Sequence, residues 1–222
     1  MTKMVLDKHR GTFLRVYTEA DIKCQDTSDT DPFPAYLEGI DTTLAPFCPT
    51  SANRVLQALE MANVSRDDRL LDLGSGDGRF CTAAVAVYGA AHAMGIESDP
   101  SLIEVSKSLC QQVATANAAT ATAAGDGGFV GKETQEEENA CSKVEFVEGD
   151  LLALPVLVRD PRWTVIVLFL LPDHTDKFAD LLRYHYDRGA RIVSLVFNLN
   201  EIQGLSLKVS DEPQGIYVYE KP

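Results

Sequence analysis

The stretch Leu70-Leu71-Asp72-Leu73-Gly74-Ser75-Gly76-Asp77-Gly78-Arg79 constrains this chain more than any other. An apolar strand runs straight into closely spaced glycines. An Ala- and Val-rich segment with helical character follows, from Arg79 to about Tyr88. Glycines at the end of a strand let the backbone come close to a ligand, and the next helix offers unpaired N–H groups at its start. In an open α/β sheet, ligands lie outside the carboxyl ends of the strands. The chain is therefore expected to fold as a layered α/β domain with a ligand at this turn.

The dinucleotide fingerprint is G-x-G-x-x-G. Here the spacing is G-x-G-x-G, and Arg79 stands where the third glycine belongs. Asp72 and Asp77 would repel a pyrophosphate and favour a ligand carrying a sulfonium and an ammonium. The segment resembles the first motif of class I methyltransferases, which bind S-adenosylmethionine (SAM). That resemblance implies cofactor contacts at Asp72, Gly74, Ser75, Gly76 and Gly78. Asp77 has a second reading, as a cap of the following helix. Glu97 ends the next strand, His92 to Glu97, where an acid accepts ribose hydroxyls by the logic of dinucleotide folds. Asp150 ends a third strand. The resemblance places it at the adenine amino group, with the Leu151 backbone N–H on the ring.

Around this motif, strands and helices alternate. A helix from Ser51 to about Asn63 buries Val55, Leu56, Leu59 and Ala62 on one face. Pro100 opens another helix through Leu109. The run Thr164 to Leu170 is continuously apolar, as suits a central strand covered on both faces. A helix from His174 to Tyr186 and a strand from Ala190 to Val196 follow. The tail offers two strands, Leu205 to Val209 and Ile216 to Tyr219, with a turn at Asp211 to Gly215. The expected fold is a doubly wound, mostly parallel seven-strand sheet, Rossmann-like, closed by an antiparallel hairpin. Residues 1–44 read as a partly flexible leader and 45–222 as the methyltransferase domain. Residues 111–142 form an insertion: its Ala-rich half can extend the preceding helix, and the remainder is solvated and mobile in character.

Lys and Arg total 20 against 33 Asp and Glu, a formal net charge of -13. Such a chain repels phosphate backbones unless it carries a basic stripe, and none is visible. Nucleic acid is disfavoured as a partner and a basic protein is favoured. The cysteines are Cys24, Cys48, Cys81, Cys110 and Cys141, odd in number and without a C-x-x-C pair. They argue against a disulfide framework and against a structural metal site. No apolar run reaches the ~20 residues that span a bilayer. The first residues lack the apolar core of a secretory signal. A cytoplasmic location is expected, with mitochondrial as the alternative, and a monomer is favoured.

A closer resemblance covers about residues 45 to 220 apart from the insertion. Its parts are Pro46-Phe47-Cys48-Pro49-Thr50-Ser51, Leu71 to Arg79, Gly95-Ile96-Glu97, Asp150-Leu151, Phe169-Leu170-Leu171-Pro172, Gly189 to Ser194 and Gly215 to Tyr219. Together they resemble the small mitochondrial protein-lysine methyltransferases that modify the ATP synthase c subunit and the adenine nucleotide translocase. Those enzymes usually carry a Trp-Lys pair where Leu152 and Ala153 stand here. They also carry a Trp near Phe197 that this chain lacks. The resemblance implies methyl transfer to an exposed lysine of a protein. Phe47, Phe169, Leu171, Pro172 and Phe197 are the candidate substrate channel, and Asp173 is the candidate catalytic residue that steers or deprotonates the amine. The alternatives are a small-molecule or RNA methyltransferase, or a non-catalytic module that binds a partner.

Overall fold

The computed structural model describes residues 3–27, 47–122, 140–151, 153–169 and 175–222. In chain order the elements are α1 (Lys3–Thr27), α2 (Ala52–Met61), β1 (Arg69–Leu73), α3 (Arg79–Ala86), β2 (His92–Glu97) and α4 (Pro100–Thr122). A 3-10 turn, Ala140–Lys143, leads into β3 (Val144–Glu148), followed by α5 (Pro155–Val158), β4 (Val165–Leu168) and α6 (Thr175–Tyr186). The chain ends with β5 (Arg191–Leu195), β6 (Leu207–Asp211) and β7 (Ile216–Tyr219).

The seven strands form one sheet in the order β3-β2-β1-β4-β5-β7-β6. β3, β2, β1, β4 and β5 are parallel. β7 inserts antiparallel beside β5 and pairs outward with β6. This is the doubly wound sheet with a closing hairpin that the sequence led us to expect. The order reverses direction between β1 and β4, so the carboxyl ends of those two strands open a crevice there.

Strand alternation assigns the two faces. Leu70, Ala93, Val165, Val193 and Val218 pack with α1 to α4. Leu71, Leu73, Ile96, Ile166 and Ile192 pack with Phe178, Leu182 and Tyr186 of α6. Asp72 shares its parity with Leu70, so its side chain takes a core position on the α3 side.

The stretch read as a leader contains α1, which belongs to this core. Phe13, Val16 and Tyr17 are buried at helical spacing and α1 packs on α2, α3 and α4. α2 is capped by Ser51, whose hydroxyl accepts the Arg54 N–H, and it stops at Asn63, which takes a left-handed φ of 51°. Asn tolerates that conformation at a helix end. α4 runs on to Thr122, so the Ala-rich half of the insertion does extend the helix. Residues 123–139 lie outside the described residues. Trp163 and Tyr186 are buried packing residues, and the Trp163 indole N–H donates to the Leu157 carbonyl.

Candidate functional site

The glycine loop is fixed from below by its neighbour strand. The N–H groups of Gly74 and Ser75 both donate to the Ile96 carbonyl, at 3.0 and 2.9 Å. The Gly76 N–H donates to Glu97 Oε2 at 2.9 Å. Glu97 Oε1 accepts from the N–H groups of Ser98 and Asp99, at 2.7 and 3.0 Å. The Ser106 hydroxyl on α4 donates to the Gly76 carbonyl at 2.9 Å. The loop thus has bonds to β2 and α4 before any ligand contacts it.

Two glycines are required here for different reasons. At Gly76, with φ +52°, a Cβ would lie 2.4 Å from the Phe47 ring. Phe47 therefore packs directly on the loop, yet the residue is 42% exposed. At Gly74, with φ +84°, a Cβ would meet nothing within 4 Å. The backbone at Gly74 borders open space, as a close-approaching ligand needs.

Asp72 is 4% exposed and its carboxylate has no hydrogen-bond or ion-pair partner among the described residues. Burial, reinforced by the charges of Glu97 and Asp77, pushes its pKa well above the usual carboxylate range. It lines a cleft with Gly74, Gly76, Phe47 and Phe169. The Ser75 hydroxyl is likewise buried without a partner among the described residues.

Asp77 differs. Arg79 Nε donates to Asp77 Oδ1 at 2.8 Å, and its Nη2 donates to Oδ2 of the same carboxylate. The Nη2 also donates to Asp21 of α1 at 2.8 Å, and Nη1 donates to the Thr50 carbonyl. Against the expectation from sequence, Asp77 adds no free charge to the ligand cleft. Nor does it cap α3, whose N-cap is Gly78 without a side-chain hydrogen bond. Arg79 remains charged, because the Asp77 and Asp21 hydrogen bonds more than offset its burial. The Tyr17 ring lies under the guanidinium, 5.2 Å from it, and the Tyr17 hydroxyl donates to Thr82 Oγ1 at 3.0 Å.

The other sequence-assigned residues fall as follows. The Gly149 N–H donates to the Glu97 carbonyl at 2.9 Å, so the ends of β3 and β2 are adjacent. Asp150 is exposed just beyond, and Leu151 is buried. Phe169 follows β4 into the cleft, with Val167 beside it. Phe197 does not line this cleft. It stands half-buried after β5, its carbonyl accepting from the Ser194 hydroxyl at 2.6 Å. Leu171, Pro172 and Asp173 lie outside the described residues. Sequence reasoning did not single out Tyr17, Asp21 or Arg79 for the site. The available signal was the helical spacing of Phe13, Tyr17 and Asp21, which puts them on one face of α1.

Among the described residues, no group of three or more His, Cys, Asp or Glu is placed to hold a metal. Among them too, no helix is long and apolar enough to cross a membrane.

An elongated cationic ligand fits this arrangement. It would find a buried carboxylate without a partner among the described residues, open backbone at Gly74, and a carboxylate at the end of β2 held by backbone N–H groups. No protein-family model matches the chain. A protein-lysine N-methyltransferase of Saccharolobus islandicus (strain REY15A) is 27% identical over 178 residues, covering 78% of this chain and 91% of the relative. The crystal structure of an RNA methyltransferase from Salinibacter ruber, in complex with S-adenosyl-L-homocysteine, superposes with a TM-score of 0.55. It is 27% identical, covering 78% of this chain and 91% of that one.

Proposed function

We propose that this chain is a SAM-dependent methyltransferase that transfers methyl groups to a lysine of a protein substrate. The observation that carries the cofactor reading is Asp72: a buried carboxylate, without a partner among the described residues, that lines the cleft beside the glycine loop. Burying an unpaired charge is costly unless a partner arrives. The α-ammonium and sulfonium of SAM supply positive charge.

In this reading Glu97 accepts hydrogen bonds from the ribose hydroxyls, Asp150 meets the adenine amino group, and the Leu151 backbone N–H meets the ring. Gly74, Ser75, Gly76 and Gly78 form the turn under the methionyl part. Bound SAM supplies an electrophilic methyl group on sulfur. Transfer is an in-line displacement, so the protein contributes chiefly by positioning the acceptor. A lysine acceptor must be neutral, and at pH 7 only roughly one in 2,500 is neutral at a pKa of about 10.4. Apolar walls disfavour the ammonium form. Phe47 and Phe169 provide such walls on the described side of the cleft. Leu171 and Pro172 are proposed to continue the channel, and Asp173 to steer the amine or take its proton.

The protein-lysine assignment is supported by the Saccharolobus relative. The segments Pro46 to Ser51 and Gly189 to Ser194, which resemble mitochondrial protein-lysine methyltransferases, point the same way. The net charge of -13 favours a basic protein. A second reading, RNA methylation, is supported by the Salinibacter neighbour, and the same net charge counts against it. One experiment separates them: incubate the purified chain with radiolabelled SAM and a cell extract, then fractionate protein, RNA and small molecules. Label in a discrete protein band, absent with a Gly76→Arg variant, is the expected result. Label confined to RNA or small molecules overturns the lysine assignment. Saturable SAM binding with no label in any fraction favours a non-catalytic module.

A further inference from the structure

Two cysteines meet outside the cofactor cleft. Cys110 lies mid-way along α4, and Cys141 lies on the turn that enters β3. Their sulfurs are 2.7 Å apart, although the residues are 31 positions apart in sequence. α3 packs against both α4 and that turn, which fixes the approach. Cys110 is 4% exposed, whereas Cys141 is half-buried.

We propose that Cys110 and Cys141 form a peroxide-responsive dithiol, a modification site whose reversible disulfide ties α4 to the entry of β3. The Cys141 thiolate attacks one oxygen of a peroxide such as hydrogen peroxide. The O–O bond breaks, Cys141 becomes a sulfenic acid, and hydroxide leaves to take up the thiol's proton as water. The Cys110 sulfur then gives up its proton and displaces the sulfenic hydroxyl as a second water. Two thiols lose two electrons in all, and the peroxide is reduced to two waters.

The surroundings suit this division of labour. The hydrogen bond between the thiols holds Cys141 below the ordinary thiol range and, together with burial, pushes Cys110 above it. The more exposed thiol is thus the more readily ionised, and the thiolate is the nucleophile. Bonding requires the sulfurs to close by less than about 1 Å. α4 therefore keeps its place, and Ser106, one turn before Cys110, keeps its bond to the Gly76 carbonyl. The disulfide locks the fold without displacing the cofactor loop.

The test is to treat the full chain with hydrogen peroxide, alkylate the remaining thiols, and map the peptides by mass spectrometry. Trypsin, cutting after Lys107, Lys132 and Lys143, separates the two cysteines. The expected product is one cross-linked peptide, about 2 Da lighter than its two parts and released by dithiothreitol. Closing so long a loop restricts the unfolded chain, so oxidation is expected to raise Tm by about 5–10 °C. Cys110→Ser and Cys141→Ser should each abolish both the cross-link and the rise. Should Cys110→Ser fail to fold, the wild-type peptide map and Cys141→Ser still decide. Cys110 and Cys141 both remaining alkylatable while Cys48 is oxidised would overturn the proposal. So would their appearance as separate sulfinic acids.

Discussion

The backbone N–H of Gly76 donates to Glu97 Oε2 at 2.9 Å, joining the middle of the glycine loop to the acid that ends β2. The Ser98 and Asp99 N–H groups hold the other oxygen, joined by the Ser98 hydroxyl at 3.3 Å, so the carboxylate is oriented chiefly by backbone donors. Glu97→Ala removes the proposed ribose acceptor and leaves the Gly76 N–H without its partner. The loss of two hydrogen bonds to a charged acceptor is on the order of 3 kcal/mol, or about a hundredfold in SAM affinity. Calorimetric titration checks it, and a loss below about tenfold would remove Glu97 from the cofactor site. Glu97→Gln keeps a carbonyl for Gly76, so it should retain more stability than Glu97→Ala while still losing affinity.

Asp72 gives a pH signature. Its folded-state pKa is raised by burial, then by Glu97 and Asp77. Well below an unfolded carboxylate pKa near about 3.9, both states hold the proton. Above that value the unfolded chain releases it first, so the wild type loses stability as pH rises toward the folded-state pKa. Asp72→Asn escapes that loss. Its Tm advantage over wild type should be small near pH 4 and grow with pH. The same variant should bind SAM about ten- to a hundredfold more weakly, because a charged partner is removed. In the wild type a cationic ligand favours the ionised carboxylate, so binding should tighten as pH rises and release protons. Titration calorimetry in buffers of different ionisation enthalpy measures that release. Proton uptake instead would contradict the role given to Asp72.

What was legible in the sequence was local. The glycine loop, Glu97 and Asp150 each end a strand, and strand ends are marked by where apolar alternation stops. Five parallel strands follow from five such units, and the hairpin follows from the turn at Asp211 to Gly215. α1 was not legible, because its buried face is narrow. Phe13, Val16 and Tyr17 are interleaved with Gly11, Thr12 and charged residues. The ion-pair role of Asp77 was not legible for a related reason. Its partner Arg79 is local, but Asp21 and Thr50, which complete the cluster, arrive from distant parts of the chain. The Cys110–Cys141 approach is likewise tertiary, since spacing alone marks neither cysteine.

Arg79 joins α1, the segment before α2 and the glycine loop through one buried guanidinium. Removing one partner from such a buried cluster is costly, because the carboxylate left behind stays desolvated. Arg79→Ala should lower unfolding free energy by about 3–5 kcal/mol in urea titration. Arg79→Lys should recover only part of this, since an ammonium cannot form the two-pronged bond to Asp77. Equal stability for Arg79→Ala and wild type would refute the structural role.

A second, partly buried pair lies at the opposite, amino-terminal edge of the parallel strands. Arg191 opens β5 and pairs with Asp68, and it also donates to the carbonyls of Ala62 and Asn63. Asp68 accepts from the Ser65 N–H and the Thr164 hydroxyl, each at 2.7 Å. The cluster joins the end of α2 to β1, β4 and β5. Arg191 belongs to the Gly189 to Ser194 segment, one of the parts of the resemblance to protein-lysine methyltransferases. Its place in the fold gives it a scaffold role, away from the cofactor loop. Arg191→Met should therefore cost about 3–5 kcal/mol, a Tm drop of about 6–15 °C. SAM affinity and turnover per folded molecule should stay within about twofold of wild type at a temperature where both are folded. Lost turnover with unchanged Tm would instead move this segment to the substrate side of the protein.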